Sequence, residues 1–481
     1  MSARYAKFAL LFCCAVLILP MTASAQVGGN NGGGNNGGGA NNGGANGGNN
    51  GNNTFFSTGV VGGVKIDTSG VLMNASDVLD PEVRSRIAEG LRNTDGNIKN
   101  ATKLRMISLR GLERAINKAR AAGVSLPSEV IYMAGLQRIE YIVLSPDKSD
   151  IILAGPGEGF KLNDQGVVVG EKSGTPVIHL EDFLVAMRSV ENARRGQGVS
   201  VSIDPTEQGV KQLQQFFNYL RKNNMSFQPA MQAKVEQAMG PQPIRLTGVP
   251  SDSRFSQVLV AADYKMKRLG MGLEQAPISN FPSFLEMAQK AKVNNLKAAP
   301  RFWMECNYEP IAKSEDGTVW QVRGKGVKAL TQEEKFDTDG KKTGKKVKQN
   351  RFAKKWADTM TERFEELAAA EPAFQELRNV MDLSVIAAII KSENLNKLVG
   401  LEMPAILGKT NAATTPSYSV PKVVPAQCSF AKISNSYLVT ASGGIQLDSW
   451  KVATNTETLD SLSDVSKSLA SAGDVWWWNA E

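Results

Sequence analysis

His179 is the only histidine in the chain, and that one count removes more chemistry than any motif adds. Metal sites built on several imidazoles are excluded, and so is the His-Glu-x-x-His helix of zinc proteases. A Ser-His-Asp or Cys-His triad has only His179 to draw on. The residue stands in Pro176-Val177-Ile178-His179-Leu180-Glu181-Asp182, just before an expected helix start, and reads most simply as a helix-entry histidine. Ser145-Pro146-Asp147-Lys148 and Lys342-Thr343-Gly344 copy two fragments of serine acyl-transfer enzymes. The first falls in a hairpin turn rather than at a helix start, the second in a lysine-rich loop, and no Ser-Asp-Asn lies between them. In Asp337-Thr338-Asp339-Gly340, placing Gly340 sixth in a calcium loop makes Lys335 and Lys346 the first and twelfth ligands, so the segment reads as a turn. Gly155-Pro156-Gly157-Glu158-Gly159 lacks the spacing of a phosphate cradle and reads likewise. Glu140, Glu158, Glu305 and Glu309 are candidates for paired glycosidase carboxylates, with nothing in the sequence to pair them, because a separation of about 5 to 10 Å belongs to the fold. No cofactor fingerprint is present.

The compartment is better marked than the chemistry. Arg4 and Lys7, the apolar run Phe8 to Leu19, and Ala23-Ser24-Ala25 spell a secretory signal peptide over residues 1–25, with Gln26 as the expected mature N-terminus. Residues 26–53 are almost wholly Gly and Asn, too poor in apolar side chains to offset the entropy of ordering, and read as a disordered tether. No later run reaches the ~20 apolar residues of a membrane crossing; the best, Leu383 to Ile390, lies between Asp382 and Lys391. Leader removal leaves Cys306 and Cys428, and in an oxidising compartment such a pair is expected to form a disulfide worth ~2 to 4 kcal/mol. Two separate buried thiols are the alternative.

The chain carries a formal charge of +8, but the excess is local. Between Lys335 and Lys355 there are nine basic residues against Asp337 and Asp339. Lys341, Lys342, Lys345 and Lys346 are therefore candidate contacts for an anionic polymer, although a solvated surface loop is the plainer reading. With the remainder near neutral, nucleic acid is not an expected partner.

The elements that must position these residues suggest an α+β chain of two or three units with small antiparallel sheets and packed helices. In residues 54–195, a hairpin around Val60 to Met73 precedes a helix begun by Asp80 and Pro81. After Gly96 the stripe Leu104, Ile107, Leu112, Ile116 and Ala119 predicts a second helix, and alternation from Arg138 to Gly170 predicts antiparallel strands. Residues 196–295 read as an α/β-like segment: a strand at Val199 to Ile203, a capping box at Asp204-Pro205-Thr206-Glu207, and a helix burying Phe255, Val258, Leu259, Ala262, Met266 and Leu269. Residues 296–455 mix strands, the lysine-rich loop and a helical pair. Residues 456–481 form a tail ending in Trp476-Trp477-Trp478, either an exposed aromatic end or a latch on the core.

Ala262-Asp263-Tyr264-Lys265-Met266-Lys267-Arg268 and the following Leu269-Gly270-Met271-Gly272-Leu273-Glu274 carry a resemblance, with Leu136 to Tyr141, Ala154 to Gly159, Ser202 to Pro205 and Ser442-Gly443-Gly444. Together they resemble an uncharacterised family of large exported proteins of planctomycete bacteria, over about residues 80 to 450. The resemblance implies an origin and an export route; that family has no established activity to carry over. By their residue types, Lys265, Lys267 and Arg268 are further candidates for holding an anion, while Asp263 and Lys267 are spaced as an i,i+4 pair. The resulting reading is a non-enzymatic envelope-associated or secreted binding or structural protein, partnered by an anionic envelope polymer or another envelope protein. An exported hydrolase of envelope polymers or peptides is the alternative.

Overall fold

Apolar residues at every second position make Val199–Ile203 a strand buried on one face, and it lies inside a six-stranded sheet. In a computed structural model of the chain, the order across this sheet is Gly326–Glu334, Ala299–Asn307, Ser442–Leu447, Val199–Ile203, Gln242–Thr247 and Val423–Val424. All neighbours run antiparallel except Ala299–Asn307 and Ser442–Leu447, which are parallel. A seven-stranded sheet follows the order Thr456–Thr458, Ile311–Lys313, Val319–Gln321, Tyr141–Leu144, Ile151–Gly157, Thr102–Ser108 and Trp477–Asn479. The described residues are 60–74, 81–92, 96–145, 147, 149–196, 198–291, 299–334, 337–339, 341–344, 350–409, 413–429, 432–433, 436–437, 442–462 and 475–480. The signal peptide, the tether, Asp80, Lys345 and Lys346 lie outside them.

The architecture is α+β, and both large sheets draw strands from distant parts of the chain. Against the six-stranded sheet packs the helix Arg254–Met271, whose expected inward residues are all buried. Beside it run Leu180–Arg195 and Pro372–Ser392. The latter is buried on nearly every side, which accounts for its continuous apolar run. No described helix is long and apolar enough to cross a membrane. The Gly62 turn drives between the two longest helices: a Cβ at Gly62, where φ is +54°, would meet Ala373 Cβ at 2.9 Å and Ala261 Cβ at 3.0 Å.

Two local expectations are corrected. Leu104 and Ile107 lie on the strand Thr102–Ser108, and only from Leu109 does the chain become helical, where the Ser108 hydroxyl accepts from Gly111 N. Spacing alone carried the helical stripe back into the strand, which is held instead between two paired neighbours. The helix at Glu207 is capped by Thr206, whose hydroxyl accepts from Gly209 N, and not by Asp204, which is buried in the sheet layer. Val199–Ile203 and Gln242–Thr247 are direct antiparallel neighbours, so the intervening helices are an excursion from a hairpin. Trp450 belongs to the short helix Ser449–Ala453, which follows the strand Ser442–Leu447.

The aromatic tail is a latch. Trp477–Asn479 adds the edge strand beside Thr102–Ser108, Asn479 Oδ1 accepts from Arg105 Nε at 3.0 Å, and the Arg105 guanidinium lies 5.2 Å from the centre of the Trp477 ring.

Gly443 shows why the sheet needs a glycine there. A Cβ would stand 2.3 Å from Phe302 O and 2.8 Å from Lys267 Cε, and the first neighbour is backbone that cannot swing aside. Gly443→Val should lower stability in urea by roughly 3 kcal/mol or more, as overpacking that displaces a paired strand. A loss below about 0.5 kcal/mol, the range of an ordinary surface replacement, would show that the strands yield freely.

Candidate functional site

Ser253 accepts from Ser256 N and so fixes the start of the helix at Arg254, whose side chain runs inward between two other helix beginnings. Arg254 Nη1 donates to Asp182 Oδ2 and Nη2 to Glu376 Oε1, while Nε lies 3.9 Å from Glu181 Oε1. Tyr418 reaches the same carboxylate from the C-terminal region, its hydroxyl 2.9 and 3.0 Å from the two oxygens of Glu181. His179 Nδ1 is 3.8 Å from Glu181 Oε1, beyond hydrogen-bond reach, and the imidazole meets the Tyr132 ring edge-on at 5.1 Å. His179 Nε2 and Asp182 Oδ1 have no hydrogen-bond partner among the described residues.

Arg254, His179, Glu181, Asp182 and Glu376 are all buried, and one guanidinium faces three carboxyl groups. Burial pushes Glu181 up to about 8, Asp182 adds to the rise, and Arg254 opposes it. Asp182 and Glu376 are raised too, again by burial, with Arg254 pulling the other way. Burial alone would lower Arg254, but Asp182, Glu376 and Glu181 hold it above its ordinary value. Burial, with the charge of Arg254, holds His179 well below 6.5, so the imidazole is neutral at pH 7. A carboxyl group held protonated near neutral pH, as Glu181 is, is the raw material of acid–base catalysis. The space it faces, however, is only about 20 Å³, walled by Val61, Val167 and Val168, room for little more than a single water.

Farther along the same helix, Lys267 Nζ donates to Asp263 Oδ2 at 2.9 Å and to Ile203 O at 2.6 Å. The expected i,i+4 pair therefore exists, but inside the protein, with Asp263 pushed up to about 6 by burial against the pull of Lys267. Lys265 pairs with Glu274 and Glu371, and Arg268 with Glu274 and Gln427. The three cations of this helix are thus engaged with neighbouring groups of the chain itself. Lys341 and Lys342 are exposed.

The Cys306–Cys428 disulfide is likewise not formed. Cys428 Sγ lies 3.1 Å from Met239 Sδ within a small cluster with Leu220, Phe227 and Val235, whereas Cys306 packs at the edge of the main core. Burial pushes each thiol up to about 12, so neither is a ready nucleophile. Ser145 Oγ donates to Asp147 Oδ1 at 2.6 Å and accepts from Ser149 and Asp150 N, a turn as read from the sequence; Lys148 lies outside the described residues. Among the described residues, no three His, Cys, Asp or Glu side chains are placed to hold a metal ion.

The larger concavity lies where the Arg254–Met271 helix ends. The chain turns through residues 272–282 and re-enters a helix at Ser283, whose hydroxyl accepts from Glu286 N in a capping box. The groove between has a volume of about 530 Å³ and is lined by Leu269, Glu274, Ile278, Phe281, Glu286 and Lys290. Its Glu274 carboxylate, although partly desolvated, is held below its ordinary value by Lys265 and Arg268, the opposite of a general acid.

Residues 201–284 match a family described as a protein of unknown function (DUF1598). The span contains Asp204, Arg254, Asp263, Lys267 and most of the groove, but not Glu181, Asp182 or Glu376, which complete the Arg254 cluster. No curated protein and no solved structure matches the chain.

Proposed function

We propose that the chain is an exported, non-catalytic binding or structural protein of the cell envelope. One observation supports the non-catalytic part: Glu181, with its raised acidity, lines together with His179, Arg254 and Glu376 a space of only about 20 Å³, while the groove of about 530 Å³ has in its wall the Glu274 carboxylate, held below its ordinary value. Export rests on the leader and tether composition of residues 1–53.

The test has two parts. Protein recovered from its native cells should begin at Gln26 and fractionate outside the cytoplasm; cytosolic protein retaining Met1 would overturn the export part. Incubation with cell-wall polymer, casein and soluble polysaccharide across acidic to mildly alkaline pH should yield no product above buffer. A specific observation favours the rival hydrolase, namely Glu181 raised to about 8 beside Asp182. Turnover by the parent that disappears in Glu181→Gln would establish that rival instead.

A further inference from the structure

The strands Val199–Ile203 and Gln242–Thr247 pair directly, yet the chain between them leaves the sheet as the helices Glu207–Lys222 and Gln232–Met239. This hairpin has its own small core of Leu220, Phe227, Val235, Met239 and Cys428. Leu213, Phe216 and Phe217 of the first helix pack, half-buried, on this satellite cluster.

The lysine-rich loop is fastened to the hairpin. Lys211 Nζ pairs with Asp339 Oδ1 at 3.2 Å, and Gln214 Nε2 donates to Asp337 O at 3.2 Å. Asp337 Oδ1 accepts from Asp339 N and Lys341 N, each at 2.9 Å. Both acids of the Lys335 to Lys355 run are thereby engaged within the loop and hairpin, leaving a strongly basic balance beside the helix. Lys341 and Lys342 are exposed on the loop, and Arg221 and Lys222 at the helix end. Tyr219 and Met225, at that same end, are 58% and 43% exposed.

We infer that the hairpin and the loop form one peripheral docking surface for an anionic lipid surface. Basic side chains next to lipid phosphate each add a modest electrostatic attraction, and a tyrosine ring suits the depth of the headgroups. A purely ionic polymer would use the cations and leave Tyr219 and Met225 in water, whereas a lipid surface takes both. The inference rests on the non-catalytic binding role and names its partner; turnover would overturn that role, while the results below bear on the lipid surface alone.

Co-sedimentation of the mature chain with vesicles of phosphatidylglycerol and phosphatidylcholine in equal parts tests it. Binding should be strong at low salt, weak at high salt and absent with phosphatidylcholine alone. Lys341→Gln with Lys342→Gln should weaken it roughly 20- to 30-fold, at about one kcal/mol per cation near the surface. Tyr219→Ser with Met225→Ser should weaken vesicle binding but leave retention on dextran sulfate unchanged, and neither double variant should shift the thermal melt. Vesicle binding unaffected by the Tyr219 and Met225 replacements would overturn the assignment, as would retention on dextran sulfate without vesicle binding, or binding to neither.

Discussion

Arg254→Met should lower the unfolding free energy by about 3 to 5 kcal/mol at pH 7, the cost of breaking a buried ion cluster by removing one partner. Arg254 joins the starts of two helices through Asp182 and Glu376 and lies beside Glu181, all of them buried. Methionine fills much of the same volume but supplies no charge, so the carboxyl groups must either remain ionised and unpaired or take up protons. The loss should therefore grow as pH rises. Adding Asp182→Asn and Glu376→Gln to Arg254→Met should recover most of it, since neutral amides carry no charge to bury. Urea denaturation is the measurement, and a loss below about 1 kcal/mol would mean the cluster is not held by this arginine.

The parent protein should lose stability as pH rises from 6.5 to 8. A group whose folded acidity constant is raised, as Glu181 is from 4.5 to about 8, stabilises fully below its unfolded value and loses that contribution as pH climbs through the folded one. Asp182 and Glu376 are shifted in the same direction. His179 has the opposite effect, because its lowered value means the unfolded chain binds more protons below 6.5. Above 6.5 the histidine's opposing contribution fades as the unfolded imidazole loses its proton, and the raised carboxyl groups outweigh it. One proton of difference across that interval corresponds to a fall on the order of 2 kcal/mol. Glu181→Gln should flatten this slope and equal or exceed the parent at pH 8. A parent whose stability is flat or rising over the interval, or a variant that keeps the slope, would contradict the assignment of Glu181 as the buried acid.

Much of the scaffold could be read in advance where apolar spacing was unambiguous. Every inward position assigned from Phe255 to Leu269 is buried, and the helical pair expected in residues 296–455 likewise buries Trp356, Met360, Phe364, Leu367, Phe374, Leu377, Met381 and Val385. Thr102–Ser108 was misread because Leu104 and Ile107 continue the spacing of Leu112 and Ile116, and a strand pinned by remote partners leaves no local trace of them. The Arg254 cluster was invisible for a related reason. His179, Glu181 and Asp182 look like the acidic first turn of a helix, and Arg254 looks like a surface cation beside a serine cap. Only the fold brings them to Glu376 and Tyr418. The available signal was charge on an apolar face: Glu376 between Phe374 and Leu377, Asp182 beside Phe183, Asp263 and Lys267 flanking Met266. Such residues are seldom buried unless paired, so each one marked a partner still to be found.

The latch at Trp477–Asn479 also fixes when the edge of the seven-stranded sheet can be closed. Its partner strand, Thr102–Ser108, lies some 374 residues earlier, as measured by the bond from Arg105 to Asn479. During synthesis the beginning of the seven-stranded sheet is made long before the strand that closes its edge. Until Trp477–Asn479 arrives, Thr102–Ser108 offers a row of unpaired amides and carbonyls, the kind of edge that invites pairing with another chain. A chain that stopped at residue 474 would keep nearly all of the described core and still lack that closure. The tryptophan strand thus makes an unsealed edge the mark of a chain that stops short of it.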